Sequence, residues 1–421
     1  MGYQTPKGTY DILSSDIGKW HKSEQIIRTF CDLYSYKEIR TPVFEYTKVV
    51  KRDNDIADMV NKEMYTFEMS HDSYTLRPEG TAGAIRSFVQ NKMFNNADMP
   101  VKLYYMGPMF RHERPQKGRQ RQFTQFGVES IGFKSPMMDA ETIALGYSVV
   151  KAMGIQQVKV LINTLGDDAS RSAYREALKE HFKDGIGELC EDCQRRYEQN
   201  PLCILDCKVD KDHPLVKSAP SLQDYLNEES KTYFNEVLAA LEALGIPYEI
   251  DDKLVRGLDY YTHTVFEVVS THEEAGSQAT IFAGGRYDHL VDYFGGPEMS
   301  GIGFAIGMER LIMMAEAEGF DFDLDDSLDV YVMALGDNGT LPLKIANEIR
   351  AAGFSAEVNM QARIMKAQFK IVDRKKAKNV VIIGEDEVKE NCVNLKHIAT
   401  KEQVRISCDE IVDQLIKWEE A

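Results

Sequence analysis

Apolar positions Trp20, Ile26, Ile27 and Phe30 share one helical face behind the turn-rich stretch TYDILSSD, so the chain is expected to begin with a turn and an amphipathic helix. YKEIRTPVFEYTKVV then reads as an extended segment ended or bent at Pro42, because proline restricts the residue before it and withholds an amide. Strand-like YTLRP leads into a helix, EGTAGAIRSFVQNKM, while VKLYYMGPMFRHE and QFTQFGVESIG read as two strands joined by a long basic loop. This pattern predicts a hairpin-rich antiparallel sheet. From about 165 to 240 the texture turns helical: DDASRSAYREALKEHFKDG has Asp167 or Asp168 as N-cap, and SLQDYLNEESKTYFNEVLAALEALG is closed by Gly245. Strand character returns at YEIDDKLVRGLDYYTHTVFEVVS and IFAGGRYDHLVDYFGG, so the helical block reads as an insertion. The acidic, poorly periodic GFDFDLDDSLD, residues 319 to 329, reads as a linker, and beyond it strands and helices alternate as in a small α/β domain.

Composition narrows the class. With 421 residues, 43% hydrophobic and 28% charged, the chain has the length and apolar content for two or three domains, each with its own core. A net charge of -17 argues against indiscriminate nucleic-acid binding, although a local basic face suffices for an RNA partner. Seven cysteines, an odd number, fit a reducing cytosol better than a disulfide framework. The opening MGYQTPKGTYDILSSD lacks an apolar run, and no later stretch is long and apolar enough to span a bilayer. The expectation is a cytoplasmic protein with neither membrane nor DNA partner.

Against that acidic background, FRHERPQKGRQRQ stands out, with five arginines and lysines and a histidine between Arg111 and Arg121. Alternating charge usually marks a solvated loop, but this loop tips a hairpin with Arg111 at the end of its first strand. Arg111 is thereby held by rigid backbone, whereas Arg114, Lys117, Arg119 and Arg121 ride the mobile part. A guanidinium fork matches phosphate oxygens in pairs, and such bonds contribute about 1.5 to 3 kcal/mol each. Phe123 follows as an aromatic able to stack on a base, so a polyphosphate nucleotide is the economical ligand. Three further segments hold chemistry less securely. LVRGLDYYTHTVFEV carries Arg256 before Tyr260 and Tyr261; GIGFAIGMERL sets Gly301, Gly303 and Gly307 before Arg310; TLRPEGTAG sets Glu79 and Thr81 at a strand-to-helix junction. Their plain readings are a surface arginine, close helix-to-strand packing at the glycines, and helix capping.

Together these segments resemble the class II aminoacyl-tRNA synthetases. FRHE with its loop and following strand is similar to motif 2, GIGFAIGMERL to motif 3, and the Pro42 segment lies where motif 1 belongs. LVRGLDYY and AGGRYD resemble the two signatures of the histidyl-tRNA synthetases, over essentially the full length of the chain. The resemblance implies an α+β catalytic domain built on an antiparallel sheet, residues 1 to 325, interrupted by the helical insertion at about 165 to 240. A small α/β anticodon-binding domain, 326 to 421, would follow. It implies activation of L-histidine by ATP with Mg2+ to histidyl-adenylate and pyrophosphate, then transfer to tRNA(His), in a homodimer. Arg111 would hold the α-phosphate, with Glu113 near the adenine and Phe123 stacked on it. Arg119 and Arg121 would reach the distal phosphates, Arg310 would clamp the γ-phosphate, and Arg256 would be the distinctive catalytic cation. Glu129 and Tyr261 would read the imidazole. Glu79, Thr81 and Gln125 would grip the α-ammonium group, Tyr260 and Tyr287 would line the pocket, and Gln116 and Arg114 would meet the tRNA. A non-catalytic paralogue serving as a regulatory or RNA-sensing module is the competing reading, but such proteins commonly lose the arginines kept here at 111, 256 and 310.

Two features lie outside that scheme. ARIMKAQFKIVDRKKAK gathers Arg363, Lys366, Lys370, Arg374, Lys375, Lys376 and Lys378, either a solvated helix face or an RNA contact. Cys190, Cys193, Cys203 and Cys207 follow C-x2-C-x9-C-x3-C, a zinc-like spacing. The resemblance argues against zinc, since related bacterial insertions carry other residues at some of these positions.

Overall fold

The computed structural model describes residues 2–51, 63–115, 118–205, 207, 209–255, 260–336, 338–361 and 364–420. The chain divides into two compact units, Met1–Phe322 and Asp323–Ala421. In the first, an eight-stranded sheet is built from β1 (Lys37–Glu38), β5 (Val101–Phe110), β6 (Gln122–Gly132), β7 (Val158–Thr164), β8 (Tyr248–Ile250), β9 (Thr262–Ser270), β10 (Thr280–Tyr287) and β11 (Ser300–Gly307). Its order is β1-β5-β6-β11-β10-β9-β7-β8. The body is antiparallel, as the hairpin pattern predicted, but both edge pairs, β1 with β5 and β7 with β8, are parallel. A parallel pair needs a long crossover, and the helical block between β7 and β8 supplies one. A small sheet, β2 (Phe44–Tyr46), β3 (Tyr65–Met69) and β4 (Asp72–Leu76), precedes the Thr81–Gln90 helix.

Strand alternation separates the sheet into a core face and an open face. Tyr104, Phe126, Val128, Phe282, Ile302, Phe304 and Ile306 enter the main core, where they meet the helices Ile17–Leu33, Pro136–Ala152 and Met308–Ala317. Trp20 and Ile27 of the first helix are buried there and Ile26 and Phe30 pack at its margin, the face expected from their spacing. The alternate residues of the same strands, among them Tyr105, Gln125, Glu129 and Tyr287, therefore turn away from that core. Two motif 3 glycines make room for them: a Cβ at Gly303 would collide with the Glu129 carboxylate and one at Gly301 with the Tyr287 ring. Close helix-to-strand packing, the plain reading, is thus not what these two glycines serve.

The helical block is divided. Tyr174, Leu178 and Phe182 of the Asp168–Phe182 helix, capped by the Asp167 carboxylate on the Ser170 amide, join Leu189, Cys193, Leu202 and Ile204 in a separate small core. The Glu228–Ala243 helix instead buries Tyr233, Phe234, Val237 and Leu241 in the main core. The second unit carries a five-stranded sheet in the order β13 (Ala356–Val358), β12 (Val330–Ala334), β14 (Asn379–Ile383), β15 (Cys392–His397), β16 (Gln403–Ser407). β12 pairs in parallel with β13 and β14, and the last two strands are antiparallel, giving the mixed sheet that the alternation of strands and helices anticipated. In the Met365–Arg374 helix, Lys366, Lys370 and Arg374 lie exposed on one face while Gln368 and Val372 are buried. Among the described residues no helix is long and apolar enough to cross a membrane.

Candidate active site

The open face of the sheet floors a cavity of about 470 Å³. Glu129, fully buried on β6, lines it and accepts hydrogen bonds from the hydroxyls of Tyr287 (2.6 Å) and Tyr105 (3.2 Å) and from Thr81. Among the described residues no cation pairs with it. Burial pushes its carboxyl up to about 8, more than the hydroxyls of Tyr287, Thr81 and Tyr105 can offset. Four residues along the strand, Gln125 is also buried and its amide oxygen Oε1 has no hydrogen-bond partner among the described residues. A buried acceptor left open beside a cavity is costly unless a ligand completes it. Tyr260 and Tyr261 complete this end, their rings 4.7 Å apart, and Tyr260 lies edge-on to Tyr287 at 5.9 Å. Glu79 serves the plain role and lines the cavity as well: its carboxylate caps the Thr81–Gln90 helix, accepting from the Thr81 amide and from the Ala82 amide at 2.9 Å.

The other end is cationic. Arg111, just past the end of β5, donates through Nε to the Pro78 carbonyl at 2.8 Å and sits 5.2 Å over the Phe123 ring. Both contacts fix the guanidinium plane. Glu113, nearly buried, pairs with Arg119 at 2.6 Å and lies 3.8 Å from Arg111. Arg310, in the first turn of the Met308–Ala317 helix, donates to the Thr280 carbonyl. Its guanidinium is held below the usual range by burial and by the like charge of Arg119. Arg111, Arg119 and Arg310 thus meet at one end of a polar cavity, with Glu113 and Glu267 among them, and guanidinium forks gathered in this way suit phosphate oxygens.

Twelve of the side chains singled out in the sequence thus line one cavity, together with Gly303 and Gly307: Glu79, Thr81, Arg111, Glu113, Arg119, Phe123, Gln125, Glu129, Tyr260, Tyr261, Tyr287 and Arg310. Arg121 is not in the lining; its Nε donates to the Glu113 carbonyl at 3.1 Å, and its amide donates to the Gly8 carbonyl at 2.7 Å. Arg114 is exposed outside the lining. Arg256, Gln116 and Arg363 lie outside the described residues. Of the four cysteines, Cys190, Cys193 and Cys207 come together with Asp210, and Cys203 is not in that group.

Three lining or supporting groups escaped the sequence reading. Tyr105 pairs across the hairpin with Gly127, which turns its hydroxyl toward Glu129. Glu309 accepts the Thr124 amide at 2.8 Å, and burial pushes its carboxyl up to about 7 despite that bond and one from the Tyr10 hydroxyl. Glu267 accepts from the Thr280 hydroxyl at 3.1 Å beside Arg310. Period-two alternation could have found Tyr105; the others follow from register and chain crossing, which the sequence does not display. One motif residue faces the opposite way. Arg286, next to Tyr287 in AGGRYD, turns into the main core and forms a two-pronged ion pair with Asp139, both fully buried.

Residues 8–311 match the family model described as histidyl-tRNA synthetase, and residues 329–418 match the one described as anticodon binding domain. The histidine–tRNA ligase of Bacillus cytotoxicus is 52% identical over 412 residues, 97% of each chain. That of Bacillus subtilis is 51% identical over 415 residues, 98% of each chain. The crystal structure of apo S. aureus histidyl-tRNA synthetase superposes with a TM-score of 0.84 at 41% identity, covering 98% of this chain and 100% of that one. With both the sheet that floors the cavity and the C-terminal unit included in these matches, the chain belongs to the histidyl-tRNA synthetase family.

Proposed function

We propose that the cavity activates L-histidine with ATP, releasing pyrophosphate, and that the bound histidyl-adenylate then passes its histidyl group to the 3' end of tRNA(His). The observation that carries this reading is the division of one cavity into an end with a buried acid, Glu129, and an open buried acceptor, Gln125 Oε1, and an end where Arg111, Arg119 and Arg310 gather. Histidine offers an imidazole N–H and an α-ammonium group to the first; a triphosphate meets the second.

In the first step the substrate carboxylate attacks the α-phosphorus, and negative charge grows on the α-phosphate oxygens and the leaving pyrophosphate. Cations fixed before the reaction stabilise that charge without reorganising. We assign Arg111 to the α-phosphate, because its Nε is already committed to the Pro78 carbonyl and only its terminal nitrogens remain to turn toward a ligand. Arg119 and Arg310 take the distal phosphates, and Glu113, which pairs with Arg119, lies near the adenine stacked on Phe123. Arg121, in this reading, swings to the distal phosphates only when the loop reorganises, and Arg114 and Gln116 meet the acceptor end of the tRNA. Arg256 keeps its assignment as the distinctive catalytic cation from the resemblance of LVRGLDYY alone.

The family uses ATP with a divalent metal ion, and we take that ion to be Mg2+. The carboxylate of Glu267, beside Arg310, is a hard oxygen donor of the lining that suits it, and the ion would neutralise charge on the β- and γ-phosphates. Glu129 with Tyr261 reads the imidazole, Gln125 with Glu79 and Thr81 receives the α-ammonium group, and Tyr260 and Tyr287 close the pocket. A wrong flat ring leaves Glu129 unanswered, which gives discrimination of roughly 10⁴ without an editing site. For transfer, a phosphate oxygen of the adenylate takes the ribose proton. A homodimer through the Pro42 segment completes the proposal, and light scattering of the purified chain tests it.

Amino-acid-dependent ATP–pyrophosphate exchange across all the proteinogenic amino acids tests the central reading. Exchange is expected with histidine alone; folded protein with magnesium that shows none with histidine would falsify it.

A further inference from the structure

The small core of the helical insertion holds a cluster that the aminoacylation chemistry does not use. Cys190 is the N-cap of the Glu191–Gln199 helix and Cys193 sits in its first turn. Cys207 and Asp210 follow the short 3-10 turn Pro201–Ile204 and return to the same point. The three sulfurs and the carboxylate lie within 4.8 Å of one another, with Cys193 and Cys207 buried and Asp210 only 9% exposed. The two arms have the same form, Cys-x2-Cys and Cys-x2-Asp.

The edges of the cluster can be compared with those of a metal tetrahedron. Zinc–thiolate bonds of about 2.3 Å and zinc–carboxylate bonds of about 2.0 Å give tetrahedral edges of roughly 3.8 Å between sulfurs and roughly 3.5 Å between sulfur and oxygen. Cys190 Sγ and Cys207 Sγ are 3.7 Å apart, and Cys207 Sγ is 3.6 Å from Asp210 Oδ2. The backbone is arranged to carry thiolates as well: the Asp210 amide donates to Cys207 Sγ at 3.4 Å and the Cys193 amide to the Cys190 sulfur. The Cys190 amide in turn orients Asp210 by donating to its Oδ2 at 3.0 Å.

We propose that Cys190, Cys193, Cys207 and Asp210 form a closed tetrahedral site for structural zinc in the insertion. Soft sulfur donors with one carboxylate suit zinc over the hard cations that accompany ATP. The local need is physical. Between Lys183 and Leu226 the described residues form the nine-residue Glu191–Gln199 helix, the four-residue Pro214–Lys217 helix and short 3-10 turns, with no strand, and a metal would tie the start of the longer helix to the segment that follows Pro201–Ile204. Cys203, which the cysteine spacing alone would enlist, is replaced by Asp210.

Metal analysis of the full chain, purified after zinc-replete expression, is expected to give about one zinc per chain. Cys193→Ser is expected to lose it and Cys203→Ser to keep it. Because Cys193→Ser can also unfold the insertion, a second measurement uses the wild-type chain: cobalt exchanged for zinc should show the strong near-ultraviolet absorption of several thiolate ligands. Less than one-tenth equivalent of zinc, with the three thiols freely reactive in the native protein, overturns the site. Loss of zinc in Cys203→Ser equal to that in Cys193→Ser overturns the role of Asp210.

Discussion

Asp139 and Glu129 are both carboxylates with no solvent exposure, on opposite faces of one sheet system, and they are answered in opposite ways. Asp139 receives the Arg286 guanidinium through both oxygens, together with the hydroxyls of Thr264 at 2.6 Å and Tyr233 at 3.1 Å. Its partner is held yet more firmly charged: burial opposes the charge of Arg286, but the Asp139 carboxylate outweighs it. Glu129 receives the hydroxyls of Tyr287, Tyr105 and Thr81 and no described cation. The first arrangement is complete without any ligand and ties β10 to the Pro136–Ala152 helix. The second is short of positive charge or of further donors, and its raised pKa records that deficit. A buried charge that the fold answers is scaffold; one that it leaves half-answered faces a substrate.

The most damaging way to test the contrast is to break the answered pair. Arg286→Met strands Asp139 in the core and is expected to cost about 3 to 5 kcal/mol of stability. Adding Asp139→Leu should recover much of that loss, since an apolar pair of similar volume avoids both desolvation costs. Chemical denaturation of the single and double variants checks this. A double variant no more stable than the single would mean that Asp139 contributes more through Thr264 and Tyr233 than through Arg286.

The alternation that sets the two carboxylates apart was legible in the sequence. Phe123, Gln125 and Glu129 share a strand face because strands repeat every two residues, and that alone groups an aromatic, an amide and an acid around one ligand. The basic loop was legible because charge contrast survives without coordinates. Register was not: eleven residues separate β5 from β6, so pairing of Tyr105 with Gly127 is not fixed by turn chemistry. Arg286 was quoted within a signature, yet whether it or Tyr287 faces the cavity depends on the bulge between Gly285 and Arg286. The helical block illustrates a different limit. Its helices were readable one by one, but the sequence does not tell which core each joins, and Glu228–Ala243 joins the sheet. Counting cysteines hid Asp210, because spacing patterns by residue type overlook a carboxylate at the fourth corner.

Proton linkage offers the next test. The Glu129 carboxyl is raised from 4.5 to about 8, so its contribution to stability is full below the unfolded value and is lost as pH rises through 8. Wild type should therefore weaken relative to Glu129→Gln, a neutral isostere, by up to ~1.4 kcal/mol per pH unit across that window, then run parallel above it. Thermal unfolding of both proteins from pH 5 to 9 measures the difference. Parallel curves throughout would show that Glu129 is already stabilised as an anion, against the half-answered reading. Glu129→Gln is also expected to lose roughly a hundredfold in kcat/KM for histidine, about 3 kcal/mol, as a charge-assisted bond becomes a neutral one. Its KM for ATP should stay near that of wild type.

The smallest expected effect discriminates most finely, because it separates the donors to Glu129 from one another. Tyr287 reaches Oε2 at 2.6 Å and Tyr105 reaches Oε1 at 3.2 Å, so the two hydroxyls share the carboxylate unequally. Removing the longer bond in Tyr105→Phe leaves Tyr287 in place and costs about 1.5 kcal/mol, roughly tenfold in kcat/KM for histidine. Tyr287→Phe should cost more, since the shorter contact holds the Glu129 carboxyl more tightly and its ring also meets Tyr260. Neither hydroxyl faces the arginine end, so pyrophosphate exchange should show the loss on the histidine side alone. An equal rise in KM for ATP in Tyr105→Phe would mean that the floor and the arginine end are not separate, and that the tyrosines hold the cavity as a whole instead of completing one acid.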